Sequence, residues 1–271
     1  MLTKLRENKG LTLLELLIAS VIALIITGSA LEVYISQQQG WIAQENISDM
    51  QQNGRAGIDE IVRHVRQAGY NLPPGLEAIF ASDANPDTIT LVYLQEPVCN
   101  SSLTAPMPKP SSELKLEPDS LSCFQSDVWA YIWDPFADEG EFFYITQVQD
   151  AAGHLQHNTM DLSKSYPAGS VVYMIEVATF FVDNTTDSLH PRLMEQRQDG
   201  TPYIYSDNIE DLQFTYTLAH GAIVDTLISS FNVREVNIEL VARTDRFDPL
   251  QGDDYVRDTM RTTVFVRNLA F

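Results

Sequence analysis

The chain is short of basic residues. It has 17 Lys+Arg against 37 Asp+Glu in 271 residues, a formal net charge of −20. So acidic a surface repels polynucleotides and anionic lipid headgroups, which excludes nucleic acid as a partner. Two uses of the charge remain: solubility in a salty or extracellular medium, and choice of partners. Catalytic signatures are missing as well. There is no Gly-rich phosphate loop, no nucleophile elbow and no HExxH, so neither an enzyme active site nor a cofactor is expected. Histidine is scarce too: His64, His154, His157, His190 and His220. The close pair, His154 and His157, has no Cys or His partners at zinc spacing and reads as solvated side chains in a strand or turn. Cysteine occurs twice, at Cys99 and Cys123. In a reducing compartment these would be free thiols, and outside the cytoplasm a disulfide is the default.

What is abundant is apolar sequence near the N-terminus. Residues 1–10, MLTKLRENKG, are a basic leader in which Lys4, Arg6 and Lys9 outweigh Glu7. The run from Leu11 to Tyr34 is 24 residues interrupted only by Glu15 and Glu32. At about 1.5 Å per residue it is roughly 36 Å of helix, enough to cross a ~30 Å hydrocarbon core. Basic residues before it place the N-terminus in the cytoplasm and the rest of the chain outside, where Cys99 and Cys123 pair. That cross-link closes a 25-residue loop, a contribution of about 3.5 kcal/mol in the chain-entropy model. A cleaved secretory signal would have a shorter apolar core followed by a small-x-small site, and here helical character continues past the run. Glu15 stands out. A carboxylate near the centre of a spanning helix costs roughly 2.5–3.5 kcal/mol, less near an end. It either snorkels to the headgroups or meets a positive group in an assembly.

Lys9-Gly10-Leu11-Thr12-Leu13-Leu14-Glu15, behind a basic leader and ahead of an apolar span, resembles the type IV prepilin processing motif. The resemblance implies cleavage after Gly10 by a prepilin peptidase and N-methylation of Leu11. It also implies that Glu15 acts as the assembly carboxylate, pairing with an N-terminal amine as subunits stack. Leu11 stands where phenylalanine is commonest, and the family's frequent helix-kinking proline is absent. Loss of residues 1–10 leaves 14 Lys+Arg against 36 Asp+Glu, a formal −22. Over the whole chain the resemblance is to minor pilins of the PilW group. It rests on size, on the stretch at 61–70 (IVRHVRQAGY) and on the closing stretch at 262–269 (TTVFVRNL). It implies a subunit that primes pilus assembly, at the tip, with other minor pilins, the major pilin and the inner-membrane assembly platform as partners. The globular part would be periplasmic first and then on the cell surface. The J-type pseudopilin of type II secretion and a membrane-tethered binding module or adhesin are the alternatives.

Beyond Tyr34, Ile47, Met50, Gly54, Ile58, Ile61 and Val65 recur at helical spacing, so 35–69 reads as an amphipathic continuation of the helix. Gly69 and Pro73-Pro74 supply the stop. Gly54 and Gly57 mark either a strand approaching closely or simple tolerance. After Pro74 the period becomes two. Strands are expected at 88–94, 127–133, 141–148, 171–183, 203–205, 212–218, 233–243 and 262–268. The class is therefore α+β and pilin-like, with a long N-terminal helix on a mainly antiparallel sheet and a β-rich domain over 70–271. The segment between Cys99 and Cys123, with four prolines and many serines, reads as a surface excursion lacking a regular core pattern. Trp41 is expected near the headgroup boundary, and Trp129 and Trp133 in the core. No metal is expected. Asp245, Asp248, Asp253 and Asp254 crowd one loop that reads as acidic and solvated, with calcium as the alternative. Asp83 to Asp87 alternates oxygen ligands but lacks the later Gly and Glu of an EF-hand.

Overall fold

Apolar residues on every face of one stretch, then at every third or fourth position of the next, dictate one helix used in two ways. The computed structural model describes residues 11–248 and 254–269. Helix α1 runs Leu13–Gln67. The chain divides into two compact units that meet in sequence at Ser48 and Asp49. In the first unit the helix is exposed nearly all round, with Leu13 84% and Trp41 73% accessible. In the second unit it buries one face: Met50, Gly54, Gly57, Ile58, Glu60, Ile61, His64 and Val65. The helix ends where Gly69 adopts φ +81°, the left-handed position that glycine takes without a Cβ penalty. Asn268 Nδ2 caps the end from outside, donating to the carbonyls of Arg66 at 3.1 Å and Ala68 at 3.2 Å.

The rest of the second unit is built from strands: β1 Ile79–Ser82, β2 Thr88–Tyr93, β3 Asn100–Ser102, β4 Leu114–Lys115, β5 Val128–Asp134, β6 Glu139–Ile145, β7 Gln147–Gln149 and β8 His154–Gln156. There follow β9 Val171–Met174, β10 Glu176–Asp183, β11 Arg192–Arg197, β12 Tyr203–Asp207, β13 Ile209–Leu218, β14 Ile223–Val224, β15 Val233–Arg243 and β16 Arg257–Phe265. They form four sheets, ordered β1-β2-β10-β11-β12, β14-β13-β15-β16, β3-β9-β5-β6 and β4-β8-β7. Every strand pairing in them is antiparallel. The α+β class expected from the sequence is what the structure shows: one long N-terminal helix packed on antiparallel sheets.

The two helix glycines explain how close that packing is. A Cβ on Gly57 would lie 2.9 Å from Leu193 Cδ2, and one on Gly54 would lie 2.8 Å from Met260 Cε and 3.2 Å from Ala242 Cβ. Both glycines therefore mark close approach of strands, β11 at Gly57 and β15–β16 at Gly54.

Several strand expectations need correction. The stretch 171–183 is two strands in different sheets. The chain crosses over at the buried Ile175, whose N–H donates to Trp129 O at 3.2 Å and whose carbonyl accepts from Gln198 Nε2 at 2.8 Å. Alternation reports burial on a face and is blind to a change of partner. Likewise 141–148 is divided between β6 and β7. β16 begins five residues before the expected 262, because its exposed edge reads as polar (Arg257, Asp258, Arg261). Strands β1, β3, β4, β8, β11 and β14 add to those expected from the sequence; most are too short to show a period. Trp129 and Trp133 are only half-buried, against Leu94, Tyr131 and Ile175.

The segment from Cys99 to Cys123 also differs from expectation. The two cysteines are bonded, with Cα atoms 5.7 Å apart. The enclosed segment is part of the core: Leu103, Met107, Leu114, Leu116 and Leu121 are buried in one cluster with Phe143, Leu155, Tyr166 and Val172. These apolar residues are spaced irregularly between prolines and serines, so no period betrays them. His157, expected in solvent, is buried beside the same cluster. Its ring nitrogens lie 2.8 Å from Met160 O and 2.9 Å from Ser112 O, so it pins the segment in place.

Candidate membrane and assembly segment

The exposed apolar stretch of α1 is the feature a soluble protein would not carry. Leu14, Leu16, Leu17, Ile18, Val21, Ile22, Leu24, Ile25 and Ile26 all face outward. So large a surface is stable only in lipid or against other such helices. The helix is long and apolar enough to cross a membrane, and none of its most apolar window is buried. It fits a single-pass anchor.

At the mouth of this helix sits Glu15. Thr12 occupies the residue before the first helical position, and Glu15 is third in the helix. The Thr12 N–H donates to Glu15 Oε2 at 2.9 Å, and the Thr12 hydroxyl donates to the same oxygen at 2.9 Å. In return Thr12 Oγ1 accepts from the Glu15 N–H at 3.3 Å. This is a capping box, which satisfies helix N–H groups that would otherwise be orphaned and holds a carboxylate at the positive end of the helix dipole. The Thr-x-x-Glu spacing that signals it is legible in the sequence, where Glu15 otherwise stands out for its charge alone.

Residues 5–31 match the prokaryotic N-terminal methylation motif. The match covers the second half of the leader, Glu15 and most of the apolar run. Together with the anchor helix, it supports a protein of pilin or pseudopilin type. It implies processing by prepilin peptidase and assembly with other pilins. No curated protein and no solved structure matches the chain. Gly10, where the sequence reading sets the cleavage, lies outside the described residues, and Leu11 is described and exposed.

Of the remaining site candidates, Asp253 also lies outside the described residues. Asp245 faces His190 Nε2 at 3.6 Å and Arg246 Nε at 3.8 Å. Asp254 pairs with Arg257 at 3.3 Å and accepts from the Tyr255 N–H at 2.7 Å. Asp248 joins Asp254 backbone to backbone, its N–H donating to Asp254 O at 3.0 Å. Two of these carboxylates are thus turned toward protein cations rather than toward a common centre. Among the described residues, the three-ligand group suited to a metal is elsewhere, at Glu60, His64 and Glu195. Glu60 and His64 are one helical turn apart and so visible as a pair in sequence; nothing local announces that β11 brings Glu195 to them.

Proposed function

We propose that the chain is a minor pilin that primes assembly of a type IV pilus and sits at its tip, with a structural rather than catalytic role. Support comes from the methylation motif, the exposed apolar helix and the large β-rich unit with its disulfide-tied segment. Lys4, Arg6 and Lys9 ahead of the span hold the N-terminus in the cytoplasm, which puts the β-rich unit in the periplasm until extraction. Its partners are other minor pilins, the major pilin and the assembly platform of the inner membrane.

The observation that carries the reading is the placement of Glu15. Cleavage after Gly10 makes Leu11 the first residue, so the new ammonium lies one residue upstream of the N–H that Glu15 already holds. The capping box keeps the carboxylate at the helix mouth in the bilayer. When helices bundle, that carboxylate meets an ammonium, and the pair offsets the cost of burying each alone. Two substitutions separate capping from charge. Glutamine at this position completes a capping box but carries no charge. Glu15→Ala and Glu15→Gln should both be processed normally and both enter filaments poorly, as read by immunoblotting of sheared pili. Wild-type incorporation of Glu15→Gln would show that the cap alone matters and would refute the ion-pair role.

A further inference from the structure

Away from the membrane segment, buried ionisable groups converge at one place, where the last turns of α1 cross β10, β11 and β12. Glu60 and His64 stand one turn apart on the buried helix face, and Glu195 reaches them from β11. His64 Nε2 is 3.2 Å from Glu60 Oε1 and 3.7 Å from Glu195 Oε1. The three ligand atoms all lie within 4.8 Å of one another. Ligand bonds of about 2.0–2.1 Å in a tetrahedron place neighbouring ligands roughly 3.3 Å apart, close to the two distances from His64.

Two further observations favour an ion. The other ring nitrogen of His64 is 3.2 Å from the Tyr93 hydroxyl, an outer hydrogen bond of the kind that fixes the tautomer and orients metal-bound histidines. Glu195 is fully buried, and its second oxygen has no hydrogen-bond partner, a cost that ordinary folds avoid.

Two guanidinium groups balance the carboxylates. Arg63 donates to both oxygens of Glu60 and also lies 3.0 Å from His64 Nε2. Arg197 Nε donates to Glu195 Oε1 at 2.6 Å, and its Nη2 is 3.7 Å from Glu60 Oε1. The Arg63 side chain is 49% exposed and has water to withdraw into. It is therefore a competitor for the site, not a permanent lid.

We propose that Glu60, His64 and Glu195 bind a divalent transition ion of the zinc class, which ties the helix to β11 and which Arg63 displaces when the ion is scarce. One imidazole with two carboxylates suits zinc better than calcium, which takes six to eight oxygens.

The test uses the full chain in detergent, stripped with a chelator and titrated with Zn²⁺ in a calorimeter. One Zn²⁺ per chain is expected. His64→Gln and Glu195→Gln should each weaken binding at least 10-fold, and Tyr93→Phe by about 10-fold or more. Arg63→Gln, on a half-exposed side chain, should fold normally and bind Zn²⁺ more tightly than wild type. That opposite sign separates a metal site from an ion-pair network, in which loss of Arg63 would only destabilise. Absence of Zn²⁺ uptake by both wild type and Arg63→Gln would overturn the proposal. So would uptake unchanged in His64→Gln and Glu195→Gln, or binding by Arg63→Gln no tighter than wild type.

Discussion

Alanine at Gly57 and alanine at Gly54 should have different consequences although the helix gains the same propensity from each. Replacing a helix glycine with alanine stabilises by about 1 kcal/mol when nothing is in the way. At Gly57 the new methyl would meet Leu193 Cδ2 at 2.9 Å and Leu240 Cδ1 at 3.4 Å. Carbon atoms prefer about 3.5–4.0 Å, so Leu193 must move by more than half an ångström. It is fully buried, as is Leu240, and a closed core charges roughly 1–3 kcal/mol for such overpacking. The net effect of Gly57→Ala is a loss of about 1 kcal/mol. At Gly54 the closest atom, at 2.8 Å, is the terminal methyl of Met260, a flexible side chain that is only half-buried. Its swing is cheap, although Ala242 at 3.2 Å is rigid, and the net should lie within about 0.5 kcal/mol of zero. Urea unfolding of the detergent-solubilised chain, followed by near-ultraviolet circular dichroism, measures both. Equal stabilisation of the two variants by about 1 kcal/mol would refute the packing argument, since propensity alone would then explain the data.

Loss of the cross-link in Cys99→Ser should cost about 3.5 kcal/mol and expose 99–123 to protease, because that segment carries core residues; unchanged stability would show that those contacts hold without it. Tyr166 donates to Glu141 Oε1 at 3.0 Å, and burial, with Glu141 beside it, pushes its phenol above the ordinary range; Tyr216 is raised mainly by burial. Each contribution is complete below about pH 10 and is lost as pH rises further, since the unfolded chain releases a proton that the folded chain keeps. Stability should therefore fall above pH 10 by up to about 1.4 kcal/mol per pH unit for each group, and Tyr166→Phe should flatten the fall; an unchanged slope in that variant would contradict the assignment.

Much of the architecture was legible because it depends on periods that a sequence displays. Ile58, Ile61 and Val65 announce the helix face, Gly69 its end, and the alternation of Val233 to Arg243 a strand that the structure reproduces residue for residue. What escaped has no period. Leu103, Met107 and Leu121 enter the core singly from a proline-rich segment. The strands at 79–82 and 154–156 are held by register with neighbours rather than by their own pattern. Long-range pairing decides the remainder: Ile175 changes sheets, and Glu195 meets Glu60 across 135 residues of sequence. The membrane segment was legible almost in full, since length, hydropathy and one carboxylate are local facts. Its capping box was visible too, in the spacing of Thr12 and Glu15.

The central claim is that this helix is cut, capped by its own glutamate, and delivered to a bundle of similar helices. Intact-mass and peptide mass spectrometry of chain purified from cells that carry a prepilin peptidase tests it most directly. The account predicts a chain that begins at Leu11 and carries a methyl group on its amine. A chain that still holds residues 1–10, in cells that process other such precursors normally, would contradict it.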